Sequence, residues 1–147
     1  SGTASEMETV ELLLKLWRLL YESIQITDCG PVSGHSAQTQ AKLQIMMQYI
    51  HDNYSGQITL DDIAGTVLIC KSSVLNIFRI YLHTSPINYV VEYRLKRASK
   101  LLVDTENSVC TIAHETGFEN IGYFCRRFKK LYGVTPIYYR NHCHSAE

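Results

Sequence analysis

Apolar positions recur at helical spacing along almost the whole chain, so an all-α fold is expected. The first such stretch, residues 10–24, runs from Val10 to Ile24. Leu12, Leu13, Leu14, Leu16, Trp17, Leu19, Leu20 and Tyr21 leave only a narrow stripe of Glu11, Lys15, Arg18 and Glu22. A helix apolar over most of its girth expects cover on more than one side, so a second copy of itself or a neighbouring domain is the expected partner. Residues 28–39, with Gly30-Pro31, Gly34 and several Ser and Thr, read as a linker. Leu43, Met46, Met47, Ile50 and Tyr54 then form the inner stripe of a helix over about 40–54. Thr59, with Asp62 three residues on, can close a variant capping box ahead of Leu60, Ile63, Ala64 and Val67.

After a turn at 68–70, a helix over 72–82 points Val74, Phe78, Tyr81 and Leu82 inward. Ser73, Asn76 and Ile80 face outward, with Ser72 and Arg79 flanking. Ser85 caps a longer helix with Pro86 in its first turn. Ile87, Val90, Val91, Leu95, Ala98, Leu101 and Leu102 are its inner positions, leaving Glu92, Arg94, Lys96, Arg97 and Lys100 to solvent or a polyanion. Ser108 caps a short helix that Gly117, able to take a positive φ, brings to a stop. Asn120 caps the next, over 121–132, with Phe124, Phe128, Leu131 and Tyr132 on one face and Gly122, Arg126, Lys129 and Lys130 on the other. Gly133 ends it, and Thr135-Pro136 opens the last helix.

The pattern occurs twice. Phe78, Ser85-Pro86-Ile87 and Tyr89 line up with Phe128, Thr135-Pro136-Ile137 and Tyr139 at a separation of 50. Ile63-Ala64 lines up with Ile112-Ala113 at 49, so the second copy carries one extra residue in its turn. A duplicated helix–turn–helix–cap unit follows. The expected architecture is two helix-turn-helix subdomains, 40–84 and 105–147, joined by a linker helix over 85–104. A separate amphipathic N-terminal helix lies within 1–27, and 28–39 tethers it.

Composition changes this picture little. A chain of 147 residues, 46% hydrophobic, can bury one ordinary core or two small ones. Its zero formal net charge hides an asymmetry: residues 1–39 hold two basic and five acidic side chains, residues 40–147 twelve and nine. Placement therefore matters more than the sum. The cationic face of 121–132 suits a DNA major groove. Gly122 admits the backbone, Arg126 can fork onto a guanine edge, and Lys129 and Lys130 can meet phosphates. In the first copy, Asn76 can pair with an adenine edge, and Leu75 or Ile80 can touch a thymine methyl. The long helix, roughly 28 Å at its standard rise, would hold two reading heads about one DNA turn (~34 Å) apart.

Five cysteines without a CxxC pair argue against a disulfide framework and for a reducing cytoplasm. No apolar run reaches the ~20 residues of a membrane span. His51, His83 and His114 are scattered without paired carboxylates, which gives no footing for an enzyme. His142-Cys143-His144 lacks the spacing of a zinc site, so neither metal nor cofactor is expected. Cys125 is better read as a small residue beneath DNA than as a redox sensor.

Residues from about 40 to 142 resemble the DNA-binding domain of AraC/XylS-type bacterial transcription regulators. The carriers are Ile112-Ala113, Gly117-Phe118, Tyr123-Phe124-Cys125-Arg126-Arg127-Phe128-Lys129-Lys130, Gly133-Val134-Thr135-Pro136 and Tyr139-Arg140, very close to that family's signature. The resemblance implies seven helices and two recognition helices in successive major grooves. It places Ser72, Leu75, Asn76, Ile121, Gly122, Cys125 and Arg126 at base-facing sites, and Arg127 and Lys129 at backbone contacts, with Arg79 and Lys130 as further cations for phosphates. The first motif departs from the family at Cys70 (commonly a capping Ser), Asn76 (often Arg) and His83 (typically Gly), which bears on the strength and preference of the first head. Stretch 10–24 would then be the end of a sensing or dimerisation domain. The implied partners are double-stranded DNA, RNA polymerase, and a second copy held through Val10 to Ile24 or through that domain; the implied role is transcription regulation, as activator or repressor. The rival is the same fold as a protein-interaction module contacting RNA polymerase or another regulator. Steep salt dependence of DNA affinity separates the two.

Overall fold

The computed structural model describes residues 37–143. The helix expected at 10–24 and most of the expected linker lie outside the described residues. Within them the chain is all helical, in seven helices: α1 (Ala37–Asn53), α2 (Leu60–Val67), α3 (Lys71–Leu82), α4 (Pro86–Asp104), α5 (Val109–Glu115), α6 (Ile121–Tyr132) and α7 (Pro136–Cys143). α1 starts three residues before the expected position because Thr39 belongs to its buried stripe with Leu43, Met46 and Ile50.

The caps form where hydroxyl and amide side chains precede apolar runs. The Thr59 hydroxyl accepts from the Asp62 N–H at 3.2 Å, while the Asp62 carboxylate accepts from the Thr59 N–H at 2.8 Å, a closed capping box. Ser85, Ser108 and Asn120 each accept from a backbone N–H three residues on. The two helix-turn-helix turns end differently. α2 stops at Leu68 in the left-handed region, φ 52°, and the turn before α6 bends at Gly117, φ 88°.

The internal repeat becomes two hydrophobic clusters. Leu43, Met46, Ile50, Ile63, Val74, Ile77, Phe78 and Val90 make the first. Val91, Leu95, Ala98, Leu102, Ile112, Ala113, Phe118, Phe124 and Phe128 make the second. Phe78 and Phe128, equivalent in the repeat, are both fully buried. Adjacent residues of α4, Val90 and Val91, serve different clusters. From Val91 onward the inner face of α4 is part of the second core, with α5, α6 and α7 packed on it.

Arg94 does not go to solvent as its position on the outer stripe suggested. Its Nε–H donates to the Tyr54 carbonyl and its Nη2 to the Gly56 carbonyl, both at 2.6 Å, and its guanidinium lies 5.9 Å from the Phe118 ring centroid. Burial pushes this guanidinium below its ordinary value, with the charge of Glu119 opposing the shift. A Cβ on Gly117 would stand 2.8 Å from the Tyr54 oxygen, 2.9 Å from that of Ser55 and 3.0 Å from Arg94 Cζ. The turn before α6 therefore seats directly on the turn after α1, and Gln57 donates to Glu119 across the same seam at 3.0 Å.

Candidate nucleic-acid interface

The second head is built around aromatic rings that fix the rotation of α6 about its own axis. Phe124 meets Phe118 edge-on at 5.1 Å; Phe128 lies 4.6 Å from Tyr132 and 5.4 Å from Tyr139. With Phe124 and Phe128 fully buried, the opposite face must point outward. Gly122, Arg126, Lys129 and Lys130 are exposed there. Asn120 Oδ1 accepts from the Tyr123 N–H at 2.7 Å and holds the first turn. A Cβ on Gly122 would come within 3.3 Å of that Oδ1 and 3.7 Å of Arg126 Nη1, so the glycine leaves room for both the cap and the guanidinium.

Three expected contact residues sit differently. Ile121 and Cys125 are half-buried and lean on the second cluster, so only their edges face outward. Arg127 is half-buried, stacked 6.0 Å over Tyr123, with its Nη2 3.5 Å from Asn88 Oδ1 at the start of α4. Leu131, expected inward, is 42% exposed. It joins Asn88, Glu92, Leu95, Arg127 and Lys130 in lining a cleft between α4 and α6.

The first head is organised by a different set of contacts. Cys70 makes no side-chain cap bond, and the Ser73 hydroxyl lies 3.3 Å from its sulfur. Ser73 is buried, which corrects its expected outward placement: position 73 turns toward the first cluster beside Val74. His83 takes the left-handed conformation, φ 53°, where glycine is typical. Ser72, Leu75 and Arg79 are exposed and Asn76 is half-buried, its Oδ1 accepting from Arg79 Nη2 at 2.9 Å. Lys71 pairs with Asp61 at 2.8 Å and ties α3 to α2.

Two exposed residues near these faces were not among the expected contacts. Tyr123 is 39% exposed beside Gly122, and Leu68 is 92% exposed in the turn ahead of α3. The repeat held a signal for Leu68, since it stands 49 positions before Gly117 and so occupies a glycine's place.

Two helix-turn-helix units sharing one long helix, each with an outward-facing second helix, define the class: a double helix-turn-helix domain. A family model described as a helix-turn-helix domain matches residues 63–142, and the chain belongs to the AraC/XylS-type helix-turn-helix transcription regulators. YdeC of Bacillus subtilis strain 168, described as an uncharacterized HTH-type transcriptional regulator, is 30% identical over 99 residues, 67% of this chain and 34% of that protein. The lactose operon transcription activator of Staphylococcus xylosus is 30% identical over 100 residues, 68% of this chain and 36% of that protein. The chain thus spans about a third of the length of these relatives. The crystal structure of a transcriptional regulator of the AraC-type DNA-binding class from Chromobacterium violaceum superposes with a TM-score of 0.68 at 30% identity. That match covers 72% of this chain and 95% of the other. The family is one of transcription regulators and not an enzyme class. No single described helix is long and apolar enough to cross a membrane.

Proposed function

We propose that this chain binds double-stranded DNA with sequence preference and regulates transcription, α3 and α6 entering successive major grooves. The observation that carries the reading is the outward face of α6. A glycine and three cations stand there, locked in place by two fully buried phenylalanines beneath them. On this reading Ser72, Leu75 and Asn76 of the first head, and Ile121, Gly122, Cys125 and Arg126 of the second, face base edges. Arg79, Arg127, Lys129 and Lys130 flank them where phosphates run. RNA polymerase is the proposed protein partner, the cytoplasm the proposed location, and stretch 10–24 or a preceding domain the proposed seat of dimerisation. The operon-activator name of one relative favours activation.

The test is affinity for a duplex selected from genomic fragments, measured across salt concentrations. Log affinity should fall linearly with log salt at a slope of roughly −0.9 per phosphate neutralised, several units in all. Arg126→Ala should cost about 1–3 kcal/mol on the selected site and relax base preference at one position. Lys129→Ala should weaken selected and random duplexes alike and reduce the slope by about 1. Identical behaviour of the two variants on both kinds of duplex would remove α6 from the reading role.

A further inference from the structure

The first head carries its polar chemistry in a different arrangement from the second. In the repeat, Asn76 stands at the place of Arg126, and Arg79 at that of Lys129. Separations of 3, 4 and 7 residues put Ser72, Leu75, Asn76 and Arg79 on one stripe of α3. A free asparagine there would read adenine, its carbonyl oxygen accepting from N6–H and its amide donating to N7. Asn76 is already engaged by its own helix, because its Oδ1 accepts from Arg79 Nη2 at 2.9 Å. Arginine has no acceptor, so the carboxamide must turn its oxygen toward the guanidinium and its Nδ2 away. An adenine amino group would have to share that oxygen with the guanidinium, on the one remaining lone pair and in an orientation the charge-assisted bond already sets.

What the pair leaves outward is mainly donor: the Asn76 Nδ2–H groups and the remaining N–H groups of Arg79, against the second lone pair of Asn76 Oδ1 alone. Among base edges in the major groove, guanine offers two adjacent acceptors, N7 and O6, whereas adenine sets a donor beside its single acceptor. We infer that Asn76 and Arg79 form one composite reader for guanine, Arg79 supplying the fork and Asn76 acting as the positioning residue that holds it. Restraining the guanidinium before binding removes part of its ordering cost. Leu75, 44% exposed on the same stripe, suits a thymine methyl next to that guanine. The inference rests on the proposal that α3 enters a major groove, and it moves Arg79 from a phosphate contact to a base contact.

The experiment is selection of binding sites from a randomised duplex pool with the full chain, followed by affinity on single-base variants of the winning site. Wild type should demand guanine at one position of the first half-site, by about 5- to 150-fold over the other bases. Arg79→Ala should abolish that preference while leaving second-half-site preferences in place. Asn76→Ala should weaken it with no change in the unfolding midpoint. Asn76→Asp should retain the guanine preference at lower total affinity, because a carboxylate still accepts from Arg79 but repels phosphates. Loss of an adenine preference in both Asn76 variants, or an equal fall on all sequences for Arg79→Ala, overturns the composite reader alone. Failure of wild type to bind any duplex would instead overturn the DNA-binding proposal beneath it.

Discussion

Leu68 and Gly117 occupy equivalent places in the repeat, and both need a left-handed backbone, at φ 52° and φ 88°. For a side chain with a Cβ that conformation costs about 1–2 kcal/mol. Glycine escapes the cost but gives up about 0.5–1 kcal/mol through its unfolded-state freedom. Gly117 has a second reason to be glycine, because the backbone oxygens of Tyr54 and Ser55 fill the space a Cβ would take. Leu68 has no such constraint and is 92% exposed. Leu68→Gly should therefore raise stability by about 0.5–1 kcal/mol in a denaturant titration. Gly117→Ala should lower it by about 2 kcal/mol or more, since strain and collision add. A loss of stability in Leu68→Gly would mean that the leucine packs on something. Of this pair, Gly117 was readable as a stop signal. Leu68 was readable only through its place in the repeat, because backbone strain leaves no mark on hydrophobic periodicity.

The helices declare themselves through their starts. Thr59, Ser85, Ser108 and Asn120 were all recognisable as caps because each precedes a periodic apolar run, and each accepts the expected N–H. The errors fall where a neighbouring element decides. Ser73 turns inward toward the sulfur of Cys70, Leu131 is left beside a cleft, and Arg94 answers carbonyls about forty residues away. No window of sequence one helix long contains such information. The α2 capping box has a consequence for acid stability. Hydrogen bonds from the Thr59 hydroxyl and backbone N–H hold the Asp62 carboxyl below its ordinary value of 3.8. A depressed carboxyl contributes stability above its unfolded pKa and loses it as pH falls through the folded one. The contribution should be present at neutral pH and fade below about pH 4. Unfolding midpoints of wild type and Asp62→Asn should then differ at pH 7 and converge toward pH 2. A constant difference over that range would detach the box from the titration.

The molecule as a whole behaves as two lobes sharing one helix. What sets their relative angle is the seam of Arg94, Gly117 and the turn after α1 rather than α4 alone. Arg94 lies on α4 among residues of the second core yet bonds two carbonyls of the first lobe. At the far end of α4, Arg140 donates to the Leu102 and Asn107 carbonyls and fastens α7 to the same helix. On the proposed reading, two heads held rigidly would make the second contact with DNA intramolecular, at an effective concentration set by geometry rather than by a loose tether. Arg94→Met keeps the apolar stem over Phe118 and removes the bonds to the Tyr54 and Gly56 carbonyls. It should cost about 1.5–3 kcal/mol of stability, the range for hydrogen bonds to a charged group. Its effect on DNA should be selective: affinity for a duplex carrying both half-sites should fall, while affinity for the second half-site alone stays as in wild type. One inserted base pair between the half-sites rotates them by roughly 35°, with about 10–10.5 base pairs per turn. Wild type should tolerate that poorly, and Arg94→Met should lose proportionately less, because its heads can adjust. Equal losses on one-half-site and two-half-site duplexes would place Arg94 in the folding of the second lobe and deny it any part in coupling the heads.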